Sequence, residues 1–259
     1  MLGVRVVKIG GNELDRREWV AACANALVGA APVVVVHGGG QAVSALSRRL
    51  SLPVEKRDGL RVTTPEIAEV VEMVLGGPMN RLLVSALRAA GLDAIGLSGV
   101  DGGLLEARPA AGELGHVGEI VKVRASLLES LLLAGLTPVV APVAPAAGDG
   151  GLPFNVNADH AAAAVASALH AEELLFVSDI PGVEIDGVAQ PTLVAAEVES
   201  MIELGIATDG MAAKLRAAAQ ALGAGVRAVR IGDLDMFASQ TAGTRLLGIP
   251  SAPPVTQPA

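Results

Sequence analysis

Val4-Arg5-Val6-Val7-Lys8-Ile9-Gly10-Gly11 and, further along, Val33-Val34-Val35-Val36-His37-Gly38-Gly39-Gly40 share one pattern. Each begins as a short β-branched run, too uniformly apolar for a strand with one wet face, and so reads as a strand covered on both sides. Each ends in glycines, which permit a tight turn into whatever follows. Similar runs recur at 94–97, 137–140, 174–177 and 228–231. Between them lie segments of helical character at 16–28, 41–50, 65–75, 80–90, 127–134, 160–170 and 211–222, with alanine filling 161–164 and 217–219. Strands that alternate with helices predict an α/β fold: a three-layer α/β/α sandwich with a mostly parallel central sheet. Residues 101–123, where glycine and charge punctuate single apolar positions, predict antiparallel strands set apart from that alternation.

The chain has 259 residues, a length suited to one α/β unit or to two lobes sharing a sheet. The lobe boundary is placed near His170, giving 1–170 and 171–248, while 249–259, with four prolines, reads as a disordered tail. The segment 144–153, rich in Ala, Gly and Pro, reads as a surface loop. Mean hydropathy of +0.53 raises the question of a membrane. The longest uncharged stretch, 130–148, carries Pro138, Pro142 and Pro145 and does not make a spanning helix.

A net charge of -8 supplies no basic field for a phosphate backbone, and one Trp and three Phe leave little to stack bases, so nucleic acid is not an expected ligand. Cys23 is the only cysteine, which excludes a disulfide framework and a thiolate metal site. The start of the chain lacks the form of a signal peptide, and a cytoplasmic setting is the expectation.

The glycine turns at Gly10-Gly11 and Gly38-Gly39-Gly40 follow buried strands and precede helices, a placement that turns backbone N–H groups and the positive end of a helix dipole toward an anion. They match neither the G-x-x-x-x-G-K-[ST] nor the G-x-G-x-x-G pattern. The same glycines also serve a plain tight turn. Lys8, at the end of a buried strand, either meets a phosphate or carboxylate or snorkels off the sheet edge. Asn155-Val156-Asn157-Ala158-Asp159 alternates, so an extended backbone would turn its three polar side chains one way; Asp159 also suits a helix N-cap. Arg61, in Asp58-Gly59-Leu60-Arg61, is either a solvated surface group or a bidentate clamp on a carboxylate. Ser178-Asp179-Ile180-Pro181-Gly182-Val183 follows a buried strand, where open α/β sheets bind ligands, yet Pro-Gly is also an ordinary turn. Lys214 taken alone reads as a surface lysine. His37, His116, His160 and His170 show no metal-ligand spacing.

Together these segments resemble the amino acid kinase family over nearly the whole chain. The resemblance rests on Val7-Lys8-Ile9-Gly10-Gly11, Val36-His37-Gly38-Gly39-Gly40, Asp58-Gly59-Leu60-Arg61-Val62-Thr63, Gly96-Leu97-Ser98-Gly99 and Leu114-Gly115-His116-Val117-Gly118 in the first part. It continues through Asn155-Val156-Asn157-Ala158-Asp159, Ser178-Asp179-Ile180-Pro181-Gly182-Val183, Gly205-Ile206-Ala207-Thr208-Asp209-Gly210-Met211 with Lys214, and Gly243-Thr244-Arg245. It implies a two-lobed kinase that phosphorylates a carboxylate with ATP, in the branch whose acid is N-acetyl-L-glutamate, an arginine precursor. By the same resemblance Lys8 and Lys214 hold the transferring phosphoryl group and Asp159 holds the two lysines. Gly39, Gly40, Arg61 and Asn155 would bind the acid, and Gly10 and Gly11 would touch phosphate oxygens. Asp179, Ile180, Pro181, Gly182, Val183 and Glu184, with Ile206, Ala207 and Thr208, would border the ATP.

Mg²⁺ is expected to arrive with ATP rather than in a cage of protein carboxylates. The first lobe would carry acid binding and dimerisation and the second ATP binding, in a homodimer without arginine feedback, since the strand starting by Val4 leaves no preceding helix. Two rival readings remain: a kinase for carrier-linked aminoadipate or glutamate, for which Lys56, Arg57 and Arg61 supply some positive charge, and a catalytically silent amino-acid sensor.

Overall fold

Residues 3–11, 13–30, 32–57, 59–146 and 151–248 are described in a computed structural model. The expected tail at 249–259 and part of the expected loop at 144–153 fall outside these residues.

The valine runs are neighbours in one eight-stranded sheet. Its order is Thr192–Val194, Thr244–Leu247, Val229–Gly232, Glu173–Val177, Arg5–Ile9, Val33–His37, Thr137–Ala141 and Ala94–Ser98. All pairings in it are parallel except the one between Val229–Gly232 and Thr244–Leu247. The period of two in each strand explains why valine is used throughout. Val6, Val34, Leu174 and Phe176 enter one core, beneath the helices Ala158–Ala168 and Asp209–Gly223. Val7, Val33, Val35 and Leu175 enter the other, beneath Arg17–Leu27, Pro65–Val74 and Asn80–Ala89. The expected three layers are present. Each fully buried valine contributes about 1.5–3 kcal/mol of transfer free energy, so the central strands need no polar face.

The antiparallel interlude is also present. Leu105–Pro109 pairs with Val117–Val123, and this hairpin is extended by Phe154–Val156 and Val143–Ala144 into a second, four-stranded sheet. Leu105, Ala107, Phe154 and Val156 join the core on the side of the alanine-rich helices. One expectation is corrected here. Ala144 lies in a strand, fully buried and paired with Phe154, instead of opening a surface loop.

Two expected helices, 65–75 and 80–90, are joined. A π-helical turn over Leu75–Met79, with Gly77 at φ -102° and ψ -110° and Pro78 inside, connects Pro65–Val74 to Asn80–Ala89. Gly77 leaves helical geometry there and Pro78 forfeits a ladder hydrogen bond, so the two helices meet at a kink. The combined run Pro65–Ala89 is long and apolar enough to cross a membrane, a length that the separate segments do not reach. Its apolar face, including Ile67, Val70, Val71, Leu83 and Leu87, is buried in the core beneath the sheet.

The strands on either side of His170 belong to the same sheet, with Arg5 opposite Glu173. Arg5 Nε lies 3.5 Å from Glu173 Oε2 across that seam, and a buried cation anchors the same carboxylate from the other side. Arg230 is 5% exposed, donates from Nε to Glu173 Oε1 at 2.7 Å, and donates through its other nitrogens to the carbonyls of Met236, Ser239 and Ala242. Arg230→Met leaves three carbonyls without their donor and leaves the partly buried Glu173 carboxylate to Arg5 alone, so chemical denaturation should show a loss of about 1–3 kcal/mol; no measurable loss would refute this role.

Candidate active site

The parallel register brings the carboxyl ends of Arg5–Ile9, Val33–His37 and Glu173–Val177 side by side, with Ile9 opposite both His37 and Val177. Their following turns are pinned to that edge, because Gly10 N–H donates to the Val177 carbonyl and Gly38 N–H to the Ile9 carbonyl. The turns also touch each other. A methyl group on Gly11 would lie 2.6 Å from Gly39 N and 3.0 Å from Gly40 N, and one on Gly39 would lie 2.6 Å from Leu75 Cδ2. Backbone amides therefore meet where any side chain would intrude, the cradle that phosphate binding asks for.

His37 holds the second turn from below. It is fully buried, its Nδ1 lies 2.8 Å from the Gly38 carbonyl, and its Nε2 lies 3.2 Å from Asn80 Nδ2. A carbonyl only accepts, so Nδ1 carries the proton and Nε2 accepts from Asn80. Asn80 Nδ2 also faces the Val139 carbonyl at 2.9 Å, which fixes the amide's orientation. Burial pushes the His37 imidazole down to about 4, only partly opposed by its bond to the Gly38 carbonyl.

A cleft of about 330 Å³ opens above these turns and is lined by Lys8, Lys214, Asp159, Gly10, Gly11, Gly39, Gly40, Arg61 and Asn155. Lys8 Nζ lies 2.9 Å from Asp159 Oδ1, with both side chains nine-tenths buried. Sequence spacing suggested Asp159 as a helix cap, but Asn157 takes that role. Its side chain accepts from Asp159 N–H and His160 N–H, and Asp159 sits inside the first turn, facing Lys8. The polar strip is thus built from a strand end, a cap and a helical turn, and its members still line one cleft.

Lys214 projects from the helix Asp209–Gly223 into the same cleft. Burial first, and the nearby Lys8 second, hold its ammonium below the ordinary lysine range, while Asp159, Glu13 and Asp179 pull the other way. It is half-buried in the cleft wall, contrary to its reading in isolation as a surface lysine. Arg61 is buried, 8% exposed, and its guanidinium is held below its usual range by burial and by Arg48. One nitrogen, Nη2, donates to the Gly40 carbonyl at 2.8 Å and to Ser44 Oγ at 2.7 Å. Nη1 has no hydrogen-bond partner. A buried guanidinium with an unused donor beside a cleft is suited to a carboxylate. Asn155 is tied to it: Asn155 Nδ2 donates to Thr63 Oγ1 at 3.2 Å, and Thr63 Oγ1 donates to the Arg61 carbonyl at 2.9 Å.

Asp179, Ile180, Pro181, Gly182, Val183, Glu184, Ile206, Ala207 and Thr208 do not line this cleft. Asp179 pairs with Arg16 at 2.9 Å, Val183 N–H donates to Thr244 Oγ1 at 2.7 Å, and Ile206 is exposed. Ile206, Ala207 and Thr208 lead directly into the helix that carries Lys214. Two residues at or beside the cleft escaped the sequence reading. Ser44 was findable, since it lies one helical turn after Gly40 on the same face. Glu13 carried no local signal, because its importance comes from burial; Thr63 and Ser178 stood inside quoted motifs without a role of their own.

The neutral state of His37 has a thermodynamic consequence. Its folded-state value lies below the ordinary histidine value of 6.5, so the unfolded chain binds the proton first and stability falls as pH drops from 6.5 toward 4. Urea unfolding at pH 7 and pH 5 should differ by about 2 kcal/mol from this group, and His37→Gln should remove that share of the acid loss. An unchanged acid dependence in the variant would contradict a neutral buried imidazole.

Residues 3–233 match the model of the amino acid kinase family. The chain is 47% identical over 238 residues to an acetylglutamate kinase of Chloroflexus aurantiacus, covering 90% of this chain and 93% of the relative. It is 42% identical over 248 residues to an acetylglutamate kinase of Chloroflexus aggregans, covering 94% and 96%. Among solved structures it resembles smu.665 from Streptococcus mutans, with a TM-score of 0.83 at 29% identity and coverage of 95% and 99%. On the strength of the family match and of these relatives, the chain belongs to the amino acid kinase family.

Proposed function

We propose that this protein transfers the γ-phosphoryl group of ATP to the γ-carboxylate of N-acetyl-L-glutamate, giving N-acetylglutamyl 5-phosphate on the route to arginine. The observation that carries this reading is the convergence in one cleft of Lys8, Lys214 and Arg61, whose Nη1 has no partner, beside two facing glycine turns. The relatives that are 42–47% identical are acetylglutamate kinases, which supports the choice of acid.

The chemistry asks for little covalent help. A side-chain carboxylate is ionised at neutral pH and attacks phosphorus without a base. What remains is positioning and charge. Arg61 and Asn155 would hold the acid, with the Gly39 and Gly40 amides. Lys8 and Lys214 would neutralise the phosphoryl group as it moves, one from the strand Arg5–Ile9 and one from the helix Asp209–Gly223. Asp159 keeps Lys8 in place and, through its charge, favours the ammonium form of Lys214. Gly10 and Gly11 would meet phosphate oxygens, and Mg²⁺ would enter on the phosphates of the nucleotide.

The remaining parts of the proposal rest on the family resemblance. Asp179 to Glu184 and Ile206 to Thr208 would border the nucleotide, residues 1–170 would hold the acid and the dimer contact, and 171–248 would hold ATP. A homodimer in the cytoplasm is the expected setting. The carrier-linked alternative needs a basic groove on the surface. Of the cations it could draw on, Arg61 is buried and Arg57 is paired with Glu55 at 2.9 Å, which favours the free acid.

A hydroxamate assay with ATP, comparing N-acetyl-L-glutamate, glutamate, aminoadipate and aspartate, should give acyl phosphate with the first alone. In that assay Lys8→Ala and Lys214→Ala should each lower kcat by about 10² or more with the fold intact, the scale of lost electrostatic stabilisation. Near-normal turnover in either variant, or binding without turnover in the unaltered protein, would overturn the reading.

A further inference from the structure

Glu13 is a buried carboxylate that the mechanism above leaves unused. It lies in the turn Glu13–Asp15, two residues after Gly11, and is 4% exposed. Its Oε2 has no hydrogen-bond partner, and the side chain lines the same cleft as Lys8 and Lys214. The carboxylate rests against Gly10, where a methyl group would overlap Oε2. An unpaired buried carboxylate is expensive unless an opposite charge answers it.

The cleft is lined by four cations, Lys8, Lys56, Arg61 and Lys214, and, besides Glu13, by one other carboxylate. Asp159 is committed to Lys8 at 2.9 Å. Arg61 spends Nη2 on Gly40 and Ser44. Among the described residues no ion pair within 4 Å is formed by Lys214 or by Glu13, and the two act on each other electrostatically. On these observations we propose that Glu13 is a positioning residue, a second counter-charge that together with Asp159 keeps Lys214 in its ammonium form before phosphate enters the cleft.

The need for such a group follows from the crowding. Lys214 faces Lys8 from the strand Arg5–Ile9, Asp159 from the helix Ala158–Ala168, Asp179 from beyond the strand Glu173–Val177, and Glu13 from its short turn. Glu13 in turn faces Cys23 of the helix Arg17–Leu27, whose thiol burial and Glu13 together push up to about 12, so that side supplies no positive charge. Lys8 and burial both favour a neutral amine at Lys214, and a neutral amine does not neutralise a moving phosphoryl group. Asp159 is shared with Lys8, and Asp179 is shared with Arg16 at 2.9 Å. Glu13, by contrast, is committed to no ion pair within 4 Å among the described residues and lines the cleft beside Lys214. This inference rests on the proposed phosphoryl-holding role of Lys214, but its test does not require turnover.

The reactivity of Lys214 toward acetic anhydride, followed from pH 6 to pH 11 by peptide mass spectrometry without substrates, reports its ammonium fraction directly. In Glu13→Gln the midpoint should fall by about one pH unit or more, so that labelling below the wild-type midpoint rises about tenfold while Lys122, exposed on the strand Val117–Val123 and outside the cleft, is unchanged. The alkaline limb of kcat should move down by the same amount. Glu13→Asp keeps the charge one methylene further back and should give an intermediate midpoint; this variant decides the matter if the glutamine form does not fold. A Lys214 midpoint identical to wild type in the folded variant overturns the inference, whatever happens to turnover. If instead wild-type protein makes no acyl phosphate but the midpoint shifts as expected, the assigned reaction fails and the Glu13–Lys214 pairing stands.

Discussion

Like charges crowded into a small, dry space repel strongly, and this site is organised around that repulsion. Lys8, Lys214 and Arg61 line one cleft, mostly out of solvent. At 4 Å, two unit charges interact with about 4 kcal/mol at an effective dielectric of 20, enough to drive a lysine neutral or to swing it out of the site. The ion pair between Lys8 and Asp159 is the first answer to this problem. It is available because the strand that ends at Lys8 and the helix that begins after Asn157 meet at one edge of the sheet. Everything else at the site, from the paired glycine turns to the neutral His37 beneath them, shapes a place where the excess of positive charge can be met by a ligand.

The rigidity this demands comes from layers that were plain to read. The valine runs show their burial because no charge interrupts them, and because period-two alternation into two cores leaves no position for a polar residue. The alanine-rich helices were equally legible. Small side chains on Ala158–Ala168 and Asp209–Gly223 let the elements carrying Asp159 and Lys214 pack closely. The edges were harder. Thr192–Val194, Thr244–Leu247 and the hairpin of Glu184–Ile185 with Val188–Ala189 are too short to rise above the surrounding turns. Ala144 read as part of a loop because its pairing with Phe154 spans a break that only the tertiary structure closes. The break between Pro65–Val74 and Asn80–Ala89 was legible, since Gly-Gly-Pro reads as an interruption and helical geometry fails at Gly77.

Legibility at the site divides along the same physical line. Glycines after buried strands announce themselves, since few other roles place them there. Lys8 does as well, being a charge at the end of an apolar run. Lys214, Arg61 and Glu13 do not, since nothing within several residues of each reveals that it faces the cleft. Their importance came from family resemblance for the first two and from coordinates for the third. Asn157 illustrates an intermediate case: an alternating strip was a fair reading of Asn155 to Asp159, but the strand stops at Val156 and the cap follows. The residues expected around the nucleotide were legible as a turn after a strand, and the structure places them beyond the cleft rather than in it.

The central claim is that two ammonium groups from distant parts of the chain meet one phosphorus. Crystallography of the protein with ADP, a planar aluminium fluoride and N-acetyl-L-glutamate measures this directly, because the fluoride stands where the phosphoryl group would be in transit. The account predicts Lys8 Nζ and Lys214 Nζ each within about 3 Å of a fluoride ligand, with Lys8 still paired to Asp159. A complex in which either nitrogen points away from the fluoride, with the acid and nucleotide both in place, would contradict it.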